Sequence, residues 1–533
     1  MQSIRSKRSI SLLAALALAS TASATEWYVD VTLGNDAHSG SSPASSWRTI
    51  SHAIQVLSGQ PPGEHTVHIA PGVYSPMSGE SFPLRPPPGV LLVGDGGASA
   101  TTLDAMGSML LLTYHSSPTN GWRFDADSGA QGLRLIGAGY PLSVVASDFG
   151  PAAPSFRDLL IEGAQSNGVW VDAVAIDFGS GAGAAPRLER VEIIGAGEQG
   201  VLVGAGADLF AQAYARVELI DVRVSGCAGN ALDFQSGGNG SVRAVVTRSR
   251  ITGNVGHGVL ARNASFYETA LVDIVDTLIA DNGGYGVWAD SGTPGGGVTR
   301  LEGCTLARNL LGGFRIDGAW QGGSIANSIF AGHTLDLPGL QLGASWSCSA
   351  NGEFAGSPNC IAADPQFVDA DAHDYRLRWG SPCIDSGDPQ LVASLDLAGR
   401  PRDVDGDLDT LRGCDMGALE FETLALRGSP NLGAELAFEI WGEQGAHSLL
   451  LMSRAPLGAP HSTPFGEFSL QRARVVGEVW LPIGLGQPFV LQRRVGLSPS
   501  LVGVTFAFQC LTDSSAAPLG RALSDPISLV VLP

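Results

Sequence analysis

Residues 249–261 read SRITGNVGHGVLA, residues 277–289 read TLIADNGGYGVWA and residues 304–316 read CTLARNLLGGFRI. The three segments start 28 and 27 residues apart and share one internal order: a short strand pattern, a Gly-rich turn, a second strand pattern. Earlier copies are LLIEGAQSNGVWV (159–171), VEIIGAGEQGVLV (191–203) and VRVSGCAGNALDF (222–234). This period is too short for a four-stranded propeller blade, and alternating β-branched residues argue against helical repeats. The pattern predicts an all-β chain whose main body is a right-handed parallel β-helix solenoid, with one coil per repeat.

Within each copy the first, third, eleventh and thirteenth places point inward, as for Val222, Val224, Leu232 and Phe234. No single coil could bury such a set, whereas stacked coils bury one continuous core. Asn254, Asn282 and Asn309 share the sixth place. They are predicted to stack at about 4.8 Å per rung as a structural ladder, because asparagine tolerates left-handed turns and hydrogen-bonds to its neighbours. Gly195-Ala-Gly197-Glu-Gln-Gly200 spells the G-x-G-x-x-G of dinucleotide-binding loops. Its glycines occupy turn places of the repeat and no helix pattern follows, so it reads as a turn.

The first 24 residues have the order of an export signal: basic Arg5, Lys7 and Arg8, an apolar run from Ile10 to Ala19, and small residues at Ala22-Ser23-Ala24. No later stretch reaches the roughly 18 uninterrupted apolar residues of a membrane-spanning helix. The chain is therefore expected to be a secreted or cell-surface monomer without a transmembrane segment. With 51 acidic against 31 basic residues its formal charge is −20, which disfavours nucleic acid as a partner. Lys7 is the only lysine, so no catalytic lysine exists beyond the signal. Export favours disulfides, and Cys348 with Cys360 and Cys383 with Cys414 are the expected pairs. Cys227 and Cys304 read as buried thiols of the repeat, and Cys510 is left over.

Ahead of the coils, SSWRTISHAIQVLSG (45–59) places Ile50, Ala53, Ile54 and Leu57 on one helical face. This predicts an amphipathic helix capping the core, with Ser45 or Ser46 as N-cap and Gly59 as the stop. HTVHIAPGVY (65–74) is expected to open the first coil; His65 and His68, three apart on a strand, should face opposite sides and share no metal. From about Leu424 the repeat stops. Strands such as ELAFEIW, HSLLLMS and VGVTFAFQCL then alternate with Pro and Gly turns, predicting a small β-sandwich. The expected divisions are a signal at 1–24, the cap and first coils at 25–113, the β-helix with a closing coil at 114–423, and the sandwich at 424–533.

WYVDVTLGND (27–36), WRTISHAI (47–54), IAPGVY (69–74) and GVLLVG (89–94) together resemble the N-terminal unit of secreted bacterial pectin-lyase-like β-helix proteins, a domain of unknown function. DPQFVDADAHDYRLRWGSPCIDSGDP (364–389), with the later DLAGRPRDVDGDLDT and DMGALEFE, is similar to the closing coil of many members. The resemblance implies the fold, secretion and a link with extracellular polysaccharide. It implies no activity.

The sequence contains no G-x-S-x-G elbow, H-E-x-x-H or phosphate loop. β-Helix enzymes that hydrolyse polygalacturonate carry paired aspartates and a lysine, and this chain has neither an Asp-Asp dipeptide nor a lysine beyond Lys7. Pectate-lyase-like chemistry instead uses acids to hold Ca²⁺ against a uronate carboxylate and a base, often arginine, to take the adjacent proton. Places twelve and fourteen of the repeat point outward from one sheet. Place twelve supplies Trp170, Asp233, Trp288 and Arg315, and place fourteen supplies Arg262, Asp290 and Asp317. Trp170, Trp288, Asp233, Asp290 and Asp317 are the candidate sugar-binding residues, since indole faces beside charge suit a sugar ring and its hydroxyls. Asp290 and Asp317 would hold the cation, and Arg262 or Arg315 would act as base. The plainer alternative is a sheet wall decorated with cross-strand ion pairs.

A second concentration of charge, Asp403, Asp405, Asp407 and Asp409, is the candidate Ca²⁺ site, because alternating carboxylates suit a hard cation. An EF-hand-like loop would require Gly and an acid where Leu408 and Cys414 stand, so that motif is incomplete. Two functions stay open: a β-helix that binds, and cleaves by Ca²⁺-assisted β-elimination, an acidic extracellular polysaccharide, or a non-catalytic surface or adhesive protein whose tail attaches it to a partner.

Overall fold

The computed structural model describes residues 24–533 apart from 62, 149, 209, 266–267, 293–295, 321, 334–342, 391–394, 444, 455–459, 472, 481–487 and 520. Residues 1–23 of the expected export signal lie outside the described residues. Among the described residues no helix is long and apolar enough to cross a membrane.

Each repeat forms one coil with strands on three faces. In the coil around Asn254 these are the three-residue strand Arg250–Thr252, the seven-residue strand Val259–Ser265 and the strand Ala270–Val275. Every strand pairs in parallel with its counterpart one coil away, so Val224, Ile251, Ile279 and Leu306 stack on successive rungs. Val222, Val224, Leu232 and Phe234 are all buried, as their places in the repeat require. Gly195 sits at a corner with φ of 67°, and the strand Val201–Ala207, not a helix, follows it.

One corner of the coil turns on a single left-handed residue: Asp158, Arg190, Asp221, Arg248 and Asp276 have φ of 52°, 53°, 55°, 47° and 50°. Left-handed backbone costs an L-residue about 1–2 kcal/mol. Adjacent corners carry opposite charges that tie them together: Arg190 donates to both oxygens of Asp158 at 2.6 and 3.0 Å, and Arg248 to both oxygens of Asp221 at 3.0 and 3.1 Å. The opposite corner holds the asparagine ladder. Asn254 Nδ2 donates to Asn282 Oδ1 at 2.9 Å, and Asn282 Nδ2 to Asn309 Oδ1 at 2.8 Å, all three residues being buried. The ladder ends on a histidine that the repeat did not announce: the Asn309 backbone N–H donates to Nδ1 of buried His333 at 3.0 Å.

The capping helix runs Ile50–Ser58 and buries Ile50, Ala53, Ile54 and Leu57, ending at Gly59 as expected. Its N-cap is Thr49, whose side chain accepts from the His52 N–H, rather than Ser45 or Ser46. Ser45 closes a 3-10 turn, Pro43–Ser45, and Trp47 then bridges to Val29 before the helix starts. The buried Glu80 carboxylate completes the cap by accepting from the N–H groups of Ile50 and Ser51. The first rung also differs from expectation, because Thr25–Val29 pairs in parallel with His65–Ile69 and precedes it.

All seven cysteines are free thiols, so neither expected disulfide is formed. Cys348 Sγ donates to the Ala363 carbonyl and Cys414 Sγ to that of Asp388, while Cys383 faces Cys348 rather than Cys414.

After the strand Cys348–Ser349 the chain does more than close the last coil; it returns along the outside of the wall. Tyr375, Leu397 and Ala418 pack onto Leu278, Ala280 and Ala307, which are outward places of the short strands. Arg402 fixes this closing segment from within: it is buried, and its guanidinium donates to Asp276 Oδ1 at 3.0 and 2.6 Å and to Glu420 Oε1 at 2.5 Å. The closing segment already contains an antiparallel pair, Phe367–Asp369 with Asp374–Leu377, and from Leu424 antiparallel strands form a three-stranded and a five-stranded sheet around a shared core that includes Phe438, Leu450, Phe508 and Leu529.

Candidate functional site

The seven-residue strands set the outward strip in the predicted register. Trp288 pairs with Arg315 and Leu260, and Asp290 lies between Arg262 and Asp317 on successive rungs. Trp170 stands four rungs before Trp288, about 19 Å away at 4.8 Å per rung, with its ring against Tyr140 at 5.3 Å. The strip is therefore two aromatic platforms separated by Leu202 and Leu260 rather than one patch.

The charges around Trp288 are satisfied by one another. Arg315 donates through Nε and Nη2 to the two oxygens of Asp317 at 2.5 and 3.0 Å, and through Nη1 to the Tyr285 hydroxyl at 2.9 Å. Trp288 Nε1 adds a third donor to Asp317 at 2.8 Å. Bonded this way, the Asp317 carboxyl is held below the usual carboxylate range and Arg315 above the usual guanidinium range, each chiefly by the other. Arg315 also lies over the rings of Tyr285 and Trp288, 5.3 and 5.9 Å from their centroids. A guanidinium anchored in this manner is a poor proton acceptor, and a carboxylate with three donors is a poor cation ligand.

Asp233 differs more sharply from the outward placement expected of it. It is fully buried, beneath Asn230 and Gln235, which donate to its two oxygens at 3.0 Å each, and Arg262, which donates at 3.2 Å. It holds the wall together and cannot touch a ligand. The Asp290 carboxylate makes no hydrogen bond or ion pair with a described residue. His257 belongs to the same platform and was not singled out from sequence, although it shares the ninth place of the repeat with Tyr285. It stacks on Tyr285 at 5.9 Å, meets the Trp288 edge at 4.9 Å and accepts the Tyr285 N–H on Nδ1, with burial keeping its pKa below normal.

The neighbouring short-strand face holds a site that the sequence reading missed. Where the closing segment leaves the wall, a cleft of about 580 Å³ opens, its polar lining including Arg250, His373, Tyr375, Arg376, Arg400 and Arg427 together with the acids Asp374 and Glu422. A second cleft of about 400 Å³ shares Arg250, His373 and Tyr375 and continues along the wall past Thr252 and Ser225. Arg400 is bonded to Asp396 and Arg427 to Glu439. The Arg250 guanidinium forms no hydrogen bond or salt bridge with a described residue, and neither does that of Arg223, its neighbour on the adjacent rung. Burial first, and the Arg223 charge second, hold Arg250 below the ordinary guanidinium range. Two unpaired like charges stacked on a sheet repel, and an anion lying across both would relieve them.

The acidic turn is rearranged relative to expectation. Asp403 is bound by Arg412, at 3.3 Å, and Asp409 Oδ1 accepts from the Leu411 N–H. Asp405 and Asp407 instead converge with Asp385, about twenty residues upstream, each contributing a carboxylate oxygen within 4.8 Å of the others. Asp385 was not expected because only the fold brings it there. Burial and the neighbouring carboxylates push Asp385 up to about 8 and Asp405 to about 7.

Residues 32–119 match a family described as a protein of unknown function (DUF1565). No curated protein matches the chain. Solved structures similar to it include pectate lyase Pel9A, at 14% identity over 75% of this chain and 97% of that one, with a TM-score of 0.40. The A-module of the Azotobacter vinelandii mannuronan C-5 epimerase AlgE6 shares 16% identity over 60% and 95%, with a TM-score of 0.34. Tailspike protein gp49 of the Acinetobacter baumannii bacteriophage Fri1, a capsular polysaccharide depolymerase, shares 10% over 95% and 86%, with a TM-score of 0.31. At these scores no activity or residue role passes from them to this chain.

Proposed function

We propose that this chain is an exported, non-catalytic β-helix protein that binds an acidic extracellular polysaccharide along its solenoid wall. The observation that carries this reading is the pair Arg223 and Arg250. In a chain of net charge −20, the guanidinium groups of Arg223 and Arg250, on adjacent rungs, form no ion pair with a described residue, and Arg250 lines both clefts. A carboxylate or sulfate bridging them would pair with guanidinium groups, that of Arg250 influenced by Asp396 and Asp374 only at a distance, and Tyr375 and His373 offer apolar and hydrogen-bonding edges beside it. The Tyr285, Trp288 and His257 platform on the adjoining face suits a neutral sugar ring.

The interlocked Arg315 and Asp317 speak against β-elimination on the strip, since the reaction would first have to break their bidentate pair. The reading is tested by affinity electrophoresis of the full chain in gels containing polygalacturonate, alginate or neutral dextran. Retardation by the two acidic polymers, falling on the order of tenfold or more in the Arg223→Ala, Arg250→Ala double variant with unchanged circular dichroism, is expected. Equal retardation by dextran, or a double variant that binds like wild type, would overturn it. Release of unsaturated sugar ends from either acidic polymer would overturn its non-catalytic part.

A further inference from the structure

Asp405 is only 6% exposed, and its Oδ1 has no hydrogen-bond donor. Its other oxygen accepts the Thr410 N–H at 3.0 Å, so the carboxylate is held in place with one oxygen left open. That open valence sits beside Asp385 and Asp407. Asp385 is oriented by the N–H groups of Gly406 and Asp407, at 2.9 and 3.0 Å on Oδ2, and Asp407 by the N–H of Asp409 at 3.0 Å. Among the described residues no cation forms an ion pair with the three: Arg412, an arginine of the same turn, bonds to Asp403 and Asp525. Oxygens within 4.8 Å of one another match the span across a Ca²⁺ ion whose ligands lie at about 2.3–2.6 Å, and water would complete its coordination.

The same turn docks the C-terminal domain. The Asp405 N–H donates to Asp525 Oδ2 at 3.1 Å, Arg412 pairs with Asp525 at 2.7 Å, and buried Leu408 packs on Ala517 and Ala522 while its carbonyl accepts from Ser514 Oγ at 3.1 Å. We infer that Asp385, Asp405 and Asp407 bind one Ca²⁺ ion, which braces the closing segment of the solenoid where the C-terminal domain rests on it. The ion would tie residue 385 to the 405–407 turn and so order the surface that Asp525, Ala517 and Ala522 contact. This role is independent of glycan binding, since none of the three acids lines the Arg250 cleft.

The test uses the full chain stripped with a chelator and dialysed, then titrated with CaCl₂ by calorimetry and followed by thermal unfolding and limited proteolysis. One Ca²⁺ per chain, a raised Tm and slower cleavage of the region after residue 424 are expected. Asp405→Asn and Asp385→Asn keep side-chain shape and remove charge repulsion, so they should fold with an undiminished metal-free Tm while losing on the order of tenfold or more in Ca²⁺ affinity. Asp403→Asn should bind Ca²⁺ like wild type. Absence of a binding heat and of a Tm shift in wild type, or wild-type affinity in Asp405→Asn, would overturn the inference. Equal loss of affinity in Asp403→Asn would also overturn it, by returning the site to the exposed face of the turn.

Discussion

Replacing Arg402 by methionine should detach the closing segment from the solenoid wall. The guanidinium is enclosed by Asp276 and Glu420, and its Nη2 also donates to the Gly417 carbonyl at 2.8 Å. Methionine fills a comparable volume but leaves two buried carboxylates without their counter-charge. Removing one partner of a buried pair typically costs about 3–5 kcal/mol, mainly through the stranded charge. Even with Arg402 present, burial raises the Asp276 pKa to about 6 and pushes Glu420 well above the ordinary range. The variant should raise both further. An acid whose folded pKa lies above its unfolded value destabilises the fold above the unfolded pKa, and this penalty is relieved as pH falls through the folded value. The loss should therefore be greatest near pH 8 and shrink toward pH 5. Urea denaturation followed by tryptophan fluorescence at pH 5, 6.5 and 8 measures it, with amide exchange at residues 415–420 and 276–280 locating the opening. Because His373, Tyr375 and Arg400 stand on the same segment, acidic-polymer retardation should weaken as well. A loss under about 1 kcal/mol at pH 8, or one that does not vary with pH, would refute the assignment of Arg402 as the internal tie.

Two further outcomes concern the ladder. Asn282→Ala removes four hydrogen bonds and leaves the Asn254 N–H buried without its acceptor, so a loss of about 2–3 kcal/mol in the same urea experiment is expected; a change under about 0.5 kcal/mol would show that the ladder contributes no more than a surface site. Burial lowers the His333 pKa, and Nδ1 must be unprotonated to accept from Asn309. Its contribution is thus present above the ordinary histidine value of about 6.5 and lost as pH falls through its depressed folded pKa. His333→Gln should flatten the difference in stability between pH 7 and pH 5, and an unchanged acid slope would rule out His333 as the titrating end of the ladder.

The register of the coils was legible because side-chain direction in a strand follows from parity alone, and that is why Arg262, Asp290 and Asp317 fall on adjacent rungs as predicted. What parity cannot supply is which outward charges consume one another. Asp233 is outward by register yet fully buried, because Asn230 at the corner and Arg262 one rung on fold over it. The cleft was partly visible. Outward places of the short strand change from Arg223 and Ser225, and Arg250 and Thr252, to Leu278 and Ala280 in the next coil. A strand apolar on both faces is one covered on both sides, so the change marks where the closing segment meets the wall and where the wall reopens beside Arg250. The acid site shows the opposite limit. Reading Asp403, Asp405, Asp407 and Asp409 as one set assumes that a ligand loop is local, but Arg412 draws Asp403 away and the Leu411 N–H engages Asp409. The third carboxylate then has to come from elsewhere in the chain. Asp385 supplies it because the strand pattern preceding it and the acidic turn are both folded back onto the end of the solenoid, a proximity set by Arg402 and the packing of Leu397 and Tyr375 rather than by any spacing in the sequence.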